Sequence, residues 1–552
     1  MSRVAVFMFD SIEREYVERL IARGELPHLE RLRGRSVRVE LRCPPDYRAE
    51  SPWTSFVTGR SPADLGYWTT VRFDPATYEC VASGAADAEP FWDTHRSSIV
   101  IDIPHCRLAT SPSVKHVIGW GTHDPQYCRC SNPSGLLTRI EASFGPHPAI
   151  PLEFFANWNT PSFTEQLSSA LLRGIERRAA IVSWLIETTP SWELLLVGLG
   201  EAHQAGHLWW HGVDRASPAA ELPGARSCGE ALLAVHRALD ASLGSMLSQL
   251  PSDCSVVVAS IKGMQGDDVG SLPSLLLPEL LSREHLGVRR FRSPNSLVWR
   301  LRGSPRVFPE LGGWDTTFAE ERWVQSRTLR LGRWAGSRVS RMKGRARRAL
   351  GRTGPPPEPQ PPETTEGIGP TVAKLEWNIA CWYRDDWPRM PLFVIPSFSD
   401  THLRVNLVGR ERHGIVPPSR YGAVIDRLEA LLGELRDSRD GSRIELEVIR
   451  TRGAGPLDSR GPPADVIVRS RQSIDSIRHP RHGLIGPFPA SRTGTHSTNG
   501  FAYFSGPGIR AGDLGRFEAL SLTPTIMALL GEAMAPGAAP IPIDTSALAV
   551  RE

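Results

Sequence analysis

The stretch "GEAHQAGHLWWH", residues 200–211, sets three imidazoles within nine positions directly after the apolar run "WELLLVG". A buried strand ending in ligand-type side chains is a usual seat of chemistry in open α/β sheets, because ligands bind at the carboxyl ends of the strands. His203 and His207 stand four apart, so a helix beginning near Glu201 would place both rings on one face, one turn apart, as zinc coordination requires. His211 continues the stripe. The competing explanation is structural: histidines at helical spacing also sit on surfaces or cap polar pockets, and spacing alone does not decide.

Other chemistry-bearing residues follow strand-like runs. Asp10 comes after "VAVFMF", "SIKGMQGDD" (260–268) ends "SVVVAS", and "GTHSTNG" (494–500) precedes "FAYFSGPGI" (501–509). Such groups are distant in sequence, yet strands of one sheet would bring their ends together. Taken alone, Asp10 in "FDSIEREYVERL" reads equally well as a helix cap. The elements that must position these residues are legible as apolar runs: 4–9, "SIVIDI" (98–103), "ELLLVGL" (193–199) and 255–260. Continuous apolar strands alternating with helical segments imply a mostly parallel sheet covered on both faces. Further on, "LFVIPSF" (392–398), "LRVNLVG" (403–409) and "RIELEVI" (443–449) read as strands of a smaller α+β section, and "SLTPTIMALLG" (521–531) as a last helix ending at Gly531.

At 552 residues the chain has room for two to four domains, or for one large α/β core with insertions. Eight cysteines lack a repeated C-x-x-C spacing, which argues against a zinc ribbon and a disulfide framework and favours reduced thiols in a cytoplasmic protein. The start "MSRVAVFMFD" enters a strand without the apolar core of a signal peptide, and no run reaches the roughly 18 apolar residues of a membrane span. Net charge is +4, unevenly spread: residues 321–368 hold eleven Arg and Lys against four Glu, so the remainder is mildly acidic. The stretch closes with "GPPPEPQPPETTEG", an extended linker by composition. Residues 321–352 read as a solvated insertion; the functional alternative is a tether to an anionic membrane surface or nucleic acid, with Trp323 and Trp334 as interfacial anchors.

The order of these landmarks resembles the alkaline phosphatase superfamily, and within it the type I phosphodiesterase and nucleotide pyrophosphatase branch. "VAVFMFDSIEREYVERLIARGELPHLERLRGRS" is similar to the opening strand, metal-binding Asp and helix before G-x-L-P-x-L-x-x-L; "SPWTSFVTGRSPADLG" to the nucleophile segment; "EAHQAGH" to D-x-x-x-H; "ASIKGM" to S-D-H-G-M; and "GTHSTNGFAYFSGPGI" to the last metal-binding His before a strand. "LRVNLVGRERHGIV" (403–416) resembles a segment of some members. The resemblance implies an alkaline phosphatase-like α/β/α sandwich with a mostly parallel central sheet and an inserted smaller α+β section. Residues 1–320 would form the first part of the core, 321–370 a basic then Pro-rich linker, and 371–552 the smaller section and the end of the same core. It also implies metal ligands at Asp10, His203, His207 and His496, with His203 in place of the usual Asp, since neutral imidazole also binds zinc.

Two departures accompany it. The S-D-H-G segment reads Ser260, Ile261, Lys262, Gly263, so both second-site ligands are missing. The nucleophile position falls on Ala49, whereas a hydroxyl stands two residues later at Ser51; the family's H-G is Leu65 and Gly66. The expected activity is metal-dependent hydrolysis or transfer of a phosphate ester, a diester in the first instance, with one zinc ion, or two. Ser51 would be the nucleophile, Lys262 a cationic surrogate for the second ion, and Glu201 a base or else a helix cap. Arg404, Asn406 and Arg410 would hold a substrate anion, because Arg offers a planar fork to phosphate, or would pair internally, as Arg410 with Glu411. "GWGTHD" (119–124) offers His123 to a pocket or forms a turn, and the absence of C-x-P-x-R argues against a sulfatase. The rival class is a catalytically impaired relative that binds a phosphorylated ligand.

Overall fold

The structure, a computed structural model, describes residues 2–44, 51–82, 88–121, 129–152, 160–291, 373–532 and 543–544, apart from short interruptions at 218, 267–274, 377, 399, 453–454, 459–460, 471–473 and 489–491. The stretch 321–370, with Trp323 and Trp334, lies outside them, as do Ala49 and His123.

Nine strands build the main sheet: β1 (Val4–Phe9), β2 (Val37–Arg42), β3 (Ser98–Ile101), β4 (Val114–Ile118), β5 (Cys130–Asn132), β6 (Leu194–Leu199), β7 (Ser255–Ser260), β8 (Asn499–Ser505) and β9 (Gly512–Glu518). Their spatial order is β9-β2-β8-β7-β1-β6-β3-β4-β5. Strands β7, β1, β6, β3 and β4 pair in parallel, as do β2 and β9. Strand β8 pairs antiparallel with β2 and β7, and β5 with β4. The apolar runs are continuous because both faces are covered. Along β1, Val4, Val6 and Met8 enter one core while Ala5, Phe7 and Phe9 enter the other, the period of two that a strand imposes.

One core packs beneath α1 (Arg14–Ala22), α3 (Pro161–Glu187), α4 (Glu201–Trp209) and α5 (Ala225–Ser248); the other beneath α2 (Ser51–Thr58) and α6 (Leu522–Leu529). The molecule is therefore an α/β sandwich about a mostly parallel sheet. Among the described residues no helix is long and apolar enough to cross a membrane.

A third core belongs to a smaller section. Its antiparallel sheet runs Leu392–Ile395, Thr401–Val405, Val466–Ser470, Leu446–Arg450, under the helices Leu277–Leu286 and Tyr421–Gly433. Tyr78, Cys80 and Ala82 from the first part of the chain join the same core, so this section draws on residues on both sides of 292–372.

Candidate functional site

Helix α4 starts immediately after β6, so its first turn stands at the carboxyl edge of the parallel sheet, beside the end of β1. His203 and His207 lie one turn apart on it, both buried. The third ring arrives from the far end of the chain. Gly263–Gly266, just past β7, pairs antiparallel with Gly494–Ser497, and His496 sits opposite Met264. Gly494 permits this approach: a Cβ there would lie 2.2 Å from the carbonyl oxygen of Gly206 on α4. Glu13 fastens the ribbon, accepting from the Met264 backbone N–H at 3.1 Å and from the Ser497 hydroxyl at 2.7 Å.

Hydrogen bonds fix how two of the rings are protonated. His203 Nδ1 lies 2.7 Å from Asp10 Oδ2, and His207 Nδ1 lies 2.6 Å from the Gly494 carbonyl oxygen. A carboxylate and a carbonyl can only accept, so each Nδ1 carries a proton and donates it. The two Nε2 atoms are then left facing each other at 2.8 Å. Two lone pairs at that distance repel, and a cation shared between them, metal ion or proton, removes the repulsion. His496 Nδ1 is buried without a hydrogen-bond partner. Burial, aided by the Lys262 ammonium and the two neighbouring rings, holds the His496 pKa well below the ordinary imidazole value, so its lone pairs stay available. One ligand atom from each of the three rings falls within 4.8 Å of the others. A neutral, all-imidazole donor set with an orphaned nitrogen suits a borderline-soft divalent ion such as zinc.

Asp10 meets the first of these rings. Besides the His203 contact through Oδ2, its Oδ1 accepts from Trp53 Nε1 at 3.1 Å and from the Ser11 hydroxyl at 2.9 Å, with Lys262 Nζ at 3.9 Å. Burial raises its pKa, but His203 and Lys262 outweigh that and hold it well below the usual carboxylate range. Asp10, expected as a metal ligand, lies at hydrogen-bond distance from His203, a contact of the kind by which carboxylates orient metal-binding imidazoles. Lys262 is buried beside it, and Ile261 packs into the hydrophobic core. Ser51 is the buried first residue of α2, two positions before the Trp53 that reaches Asp10.

Some expected site residues are engaged elsewhere. Glu201 Oε1 accepts from Arg178 Nε at 2.8 Å and lies 3.3 Å from His147 Nε2. Although burial opposes it, Arg178 and His147 lower the Glu201 pKa to about 2. A carboxylate with so little proton affinity is a poor general base, which corrects the expectation for Glu201. Arg404, Asn406 and Arg410 lie in the smaller section, and the alternative of internal pairing is what is observed. Arg404 Nε donates to Glu411 at 2.7 Å, and Arg410 donates to both oxygens of Asp465 at 2.7 Å each. Asn406 accepts from the Tyr78 hydroxyl at 2.7 Å and donates to the Trp387 carbonyl at 3.1 Å. His211 leaves the stripe and pairs with the Thr493 hydroxyl at 3.0 Å.

Sequence reasoning missed His105. It is buried within electrostatic reach of Lys262, Asp10 and His203, and burial together with Lys262 lowers its pKa to about 3. The available signal was its position just past the end of β3, the same strand-edge rule that flagged the others. The loops here are also strained: Ser11, Asp102 and His105 adopt φ of 62°, 53° and 57°, a left-handed conformation that non-glycine residues rarely hold and that clusters at functional sites.

No curated protein matches the chain in sequence. Among solved structures, a murine ectonucleotide pyrophosphatase / phosphodiesterase 5, in an inactive form complexed with AMP, is similar at 11% identity and TM-score 0.47 over 100% of both chains. The phosphonoacetate hydrolase of Sinorhizobium meliloti 1021, complexed with phosphonoformate, is similar at 13% identity and TM-score 0.45 over 97% of this chain and 96% of its own. Residues 4–271 match the family model of type I phosphodiesterase / nucleotide pyrophosphatase, a span that holds Asp10, Ser51, His203, His207 and Lys262. Over that span the chain resembles the type I phosphodiesterase / nucleotide pyrophosphatase family.

Proposed function

We propose that the protein is a metal-dependent phosphoester hydrolase acting on a diester, with one zinc ion held by His203, His207 and His496. The observation that carries this reading is the convergence of three buried imidazoles from two distant parts of the chain, two of them with Nδ1 protons committed so that Nε2 faces its neighbour. Bound zinc would supply Lewis acidity toward a phosphoryl oxygen. The chain's own residues do the rest. Asp10 holds His203 in one tautomer, the Gly494 carbonyl does the same for His207, and all three rings are buried. Ser51 is the hydroxyl assigned to attack phosphorus, supported by its place on the helix whose Trp53 reaches Asp10.

The second reading, a catalytically impaired binder of a phosphorylated ligand, is favoured by Ala49 at the aligned nucleophile position and by Ile261 in the core. One set of measurements separates the two. Protein purified without chelator should carry about one equivalent of zinc, and His207→Ala should lose it with an unchanged circular dichroism spectrum. Ser51→Ala should keep the metal and lose hydrolysis of an activated aryl phosphodiester; wild-type rates in that variant would reassign the attack to water. A wild-type protein that turns over neither mono- nor diesters would be a binder. Full zinc occupancy in a triple His203→Ala, His207→Ala, His496→Ala variant would refute the site.

A further inference from the structure

The smaller section carries a cleft that the three-imidazole site does not use. Its volume is about 420 Å³, within the range of small-ligand pockets. One wall is a single face of helix Tyr421–Gly433 and the residue ahead of it: Arg420, Ala423, Val424, Arg427, Leu428 and Leu431, spaced by three and four. A second wall is Leu281, Glu284 and His285, at the same spacing on helix Leu277–Leu286. Ile415 borders the cleft and is 47% exposed, one of three exposed large apolar side chains among the described residues. Ala423 is exposed as well. An apolar body seated here removes that surface from water, which is favourable.

The charges on the described lining are one-sided: Arg389, Arg420 and Arg427 stand against a single carboxylate, Glu284. That carboxylate is already engaged, its Oε1 accepting from Arg427 at 2.9 Å and its Oε2 lying 2.6 Å from His482 Nε2 and 3.1 Å from Arg481. Arg389 pairs with Asp386. Arg420 is exposed and has no carboxylate partner among the described residues. His285 adds a second unmet need, because its Nε2 is buried without a hydrogen-bond partner. Burial outweighs the opposing Glu284 carboxylate and lowers the His285 pKa to about 4, so the ring is uncharged at neutral pH. A buried ring nitrogen left unpaired is costly, and a ligand that brings a polar atom to this wall satisfies it.

We infer that this cleft binds a small amphipathic anion, its aliphatic body lying along the apolar face of helix Tyr421–Gly433 and its carboxylate or phosphate head held by Arg420. A guanidinium meets either head through two parallel hydrogen bonds. Two helix faces and a loop bound the space, the concave form of a small-ligand pocket. The inference goes beyond the hydrolase reading and does not depend on it, since the cleft and the imidazole site share no residue.

The test titrates the full chain by calorimetry with decanoate, decyl phosphate and decylammonium, each below its micelle concentration. One or both of the anions should bind at about one per chain, the tighter of the two naming the head. Decylammonium should bind at least about tenfold more weakly, because its charge matches that of the lining. Arg420→Ala should weaken binding of the anion about tenfold or more, the scale of one charge-assisted hydrogen bond, and Arg420→Lys should recover part of it. Ala423→Trp, which places a large side chain in the cleft from an exposed position, should abolish binding with an unchanged circular dichroism spectrum. No binding of either anion, equal binding of the cation, or wild-type affinity in Arg420→Ala or Ala423→Trp overturns the inference. Should Ala423→Trp fail to fold, the two Arg420 variants decide. A wild type that sediments as a dimer and becomes monomeric in Ala423→Trp would give the cleft to a second copy of the chain, and overturns the inference as well.

Discussion

His203 illustrates how far single residues could be read. Its spacing from His207 is a property of one helix, so the pair was legible from residues 200–211 alone. Which nitrogen faces the site was not legible, because that choice is made by Asp10, at the end of a different strand. His105 stayed hidden for the same reason: its proximity to Lys262 and Asp10 exists only after β3 and β7 have been placed in the sheet. The role of Asp10 follows from its contacts and can be tested at this scale. As the orienting partner of His203, Asp10→Asn should leave zinc stoichiometry unchanged and weaken zinc affinity about 10- to 100-fold, measured by competition with a chromophoric chelator. Were Asp10 a direct ligand of a second ion, the same change would lower the number of ions bound instead.

At the scale of elements, the strand ends were read correctly because a parallel sheet buried on both faces leaves unmistakable apolar runs, and β1, β3, β6 and β7 all fall within them. What those runs do not reveal is how helix α3 locks the sheet edge. Arg178, wholly buried on that helix, donates to Asp102 Oδ2 at 2.6 Å and to Glu201 Oε1 at 2.8 Å, while Asp102 accepts from the backbone N–H groups of Trp120 and Gly121 at 2.9 and 2.7 Å. Three segments meet on one guanidinium, and the first residue of α4 is among them. Removing one partner strands a buried charge, so Glu201→Gln should cost about 3–5 kcal/mol at neutral pH. The pH dependence has a definite sign. Glu201 is lowered from 4.5 to about 2 by its partners, so its contribution is complete above its unfolded-state pKa and disappears as pH falls through the folded-state value. Denaturant titrations should therefore show the gap between wild type and Glu201→Gln closing as pH drops from about 5 toward 2, and a gap that stays constant would argue that the charge of Glu201 contributes nothing.

Across the whole molecule, two sections divide the work. The larger one brings the carboxyl ends of β1, β6 and β7 together beneath the imidazoles, and the smaller one is organised around Asp465, whose carboxylate accepts from Arg410, from the Tyr421 hydroxyl at 3.0 Å and from the Val405 backbone N–H at 2.7 Å. The strands of the smaller section were legible in "LFVIPSF" and "LRVNLVG", but its arginines are ambiguous in sequence, since a guanidinium that binds substrate and one that closes a buried ion pair look alike until their neighbours are known. The contacts favour the structural role, and that role makes a distinct prediction. Arg410→Met leaves Asp465 buried with a lost bidentate partner, so it should destabilise the protein by about 3–5 kcal/mol in denaturant unfolding. Because Asp465 and the imidazoles belong to different sections, the folded variant should match the wild type in metal content and in affinity for inorganic phosphate. An Arg410→Met protein of wild-type stability whose phosphate affinity has collapsed would return Arg410 to the substrate site, since only a donor that meets the anion directly can be lost without cost to the fold.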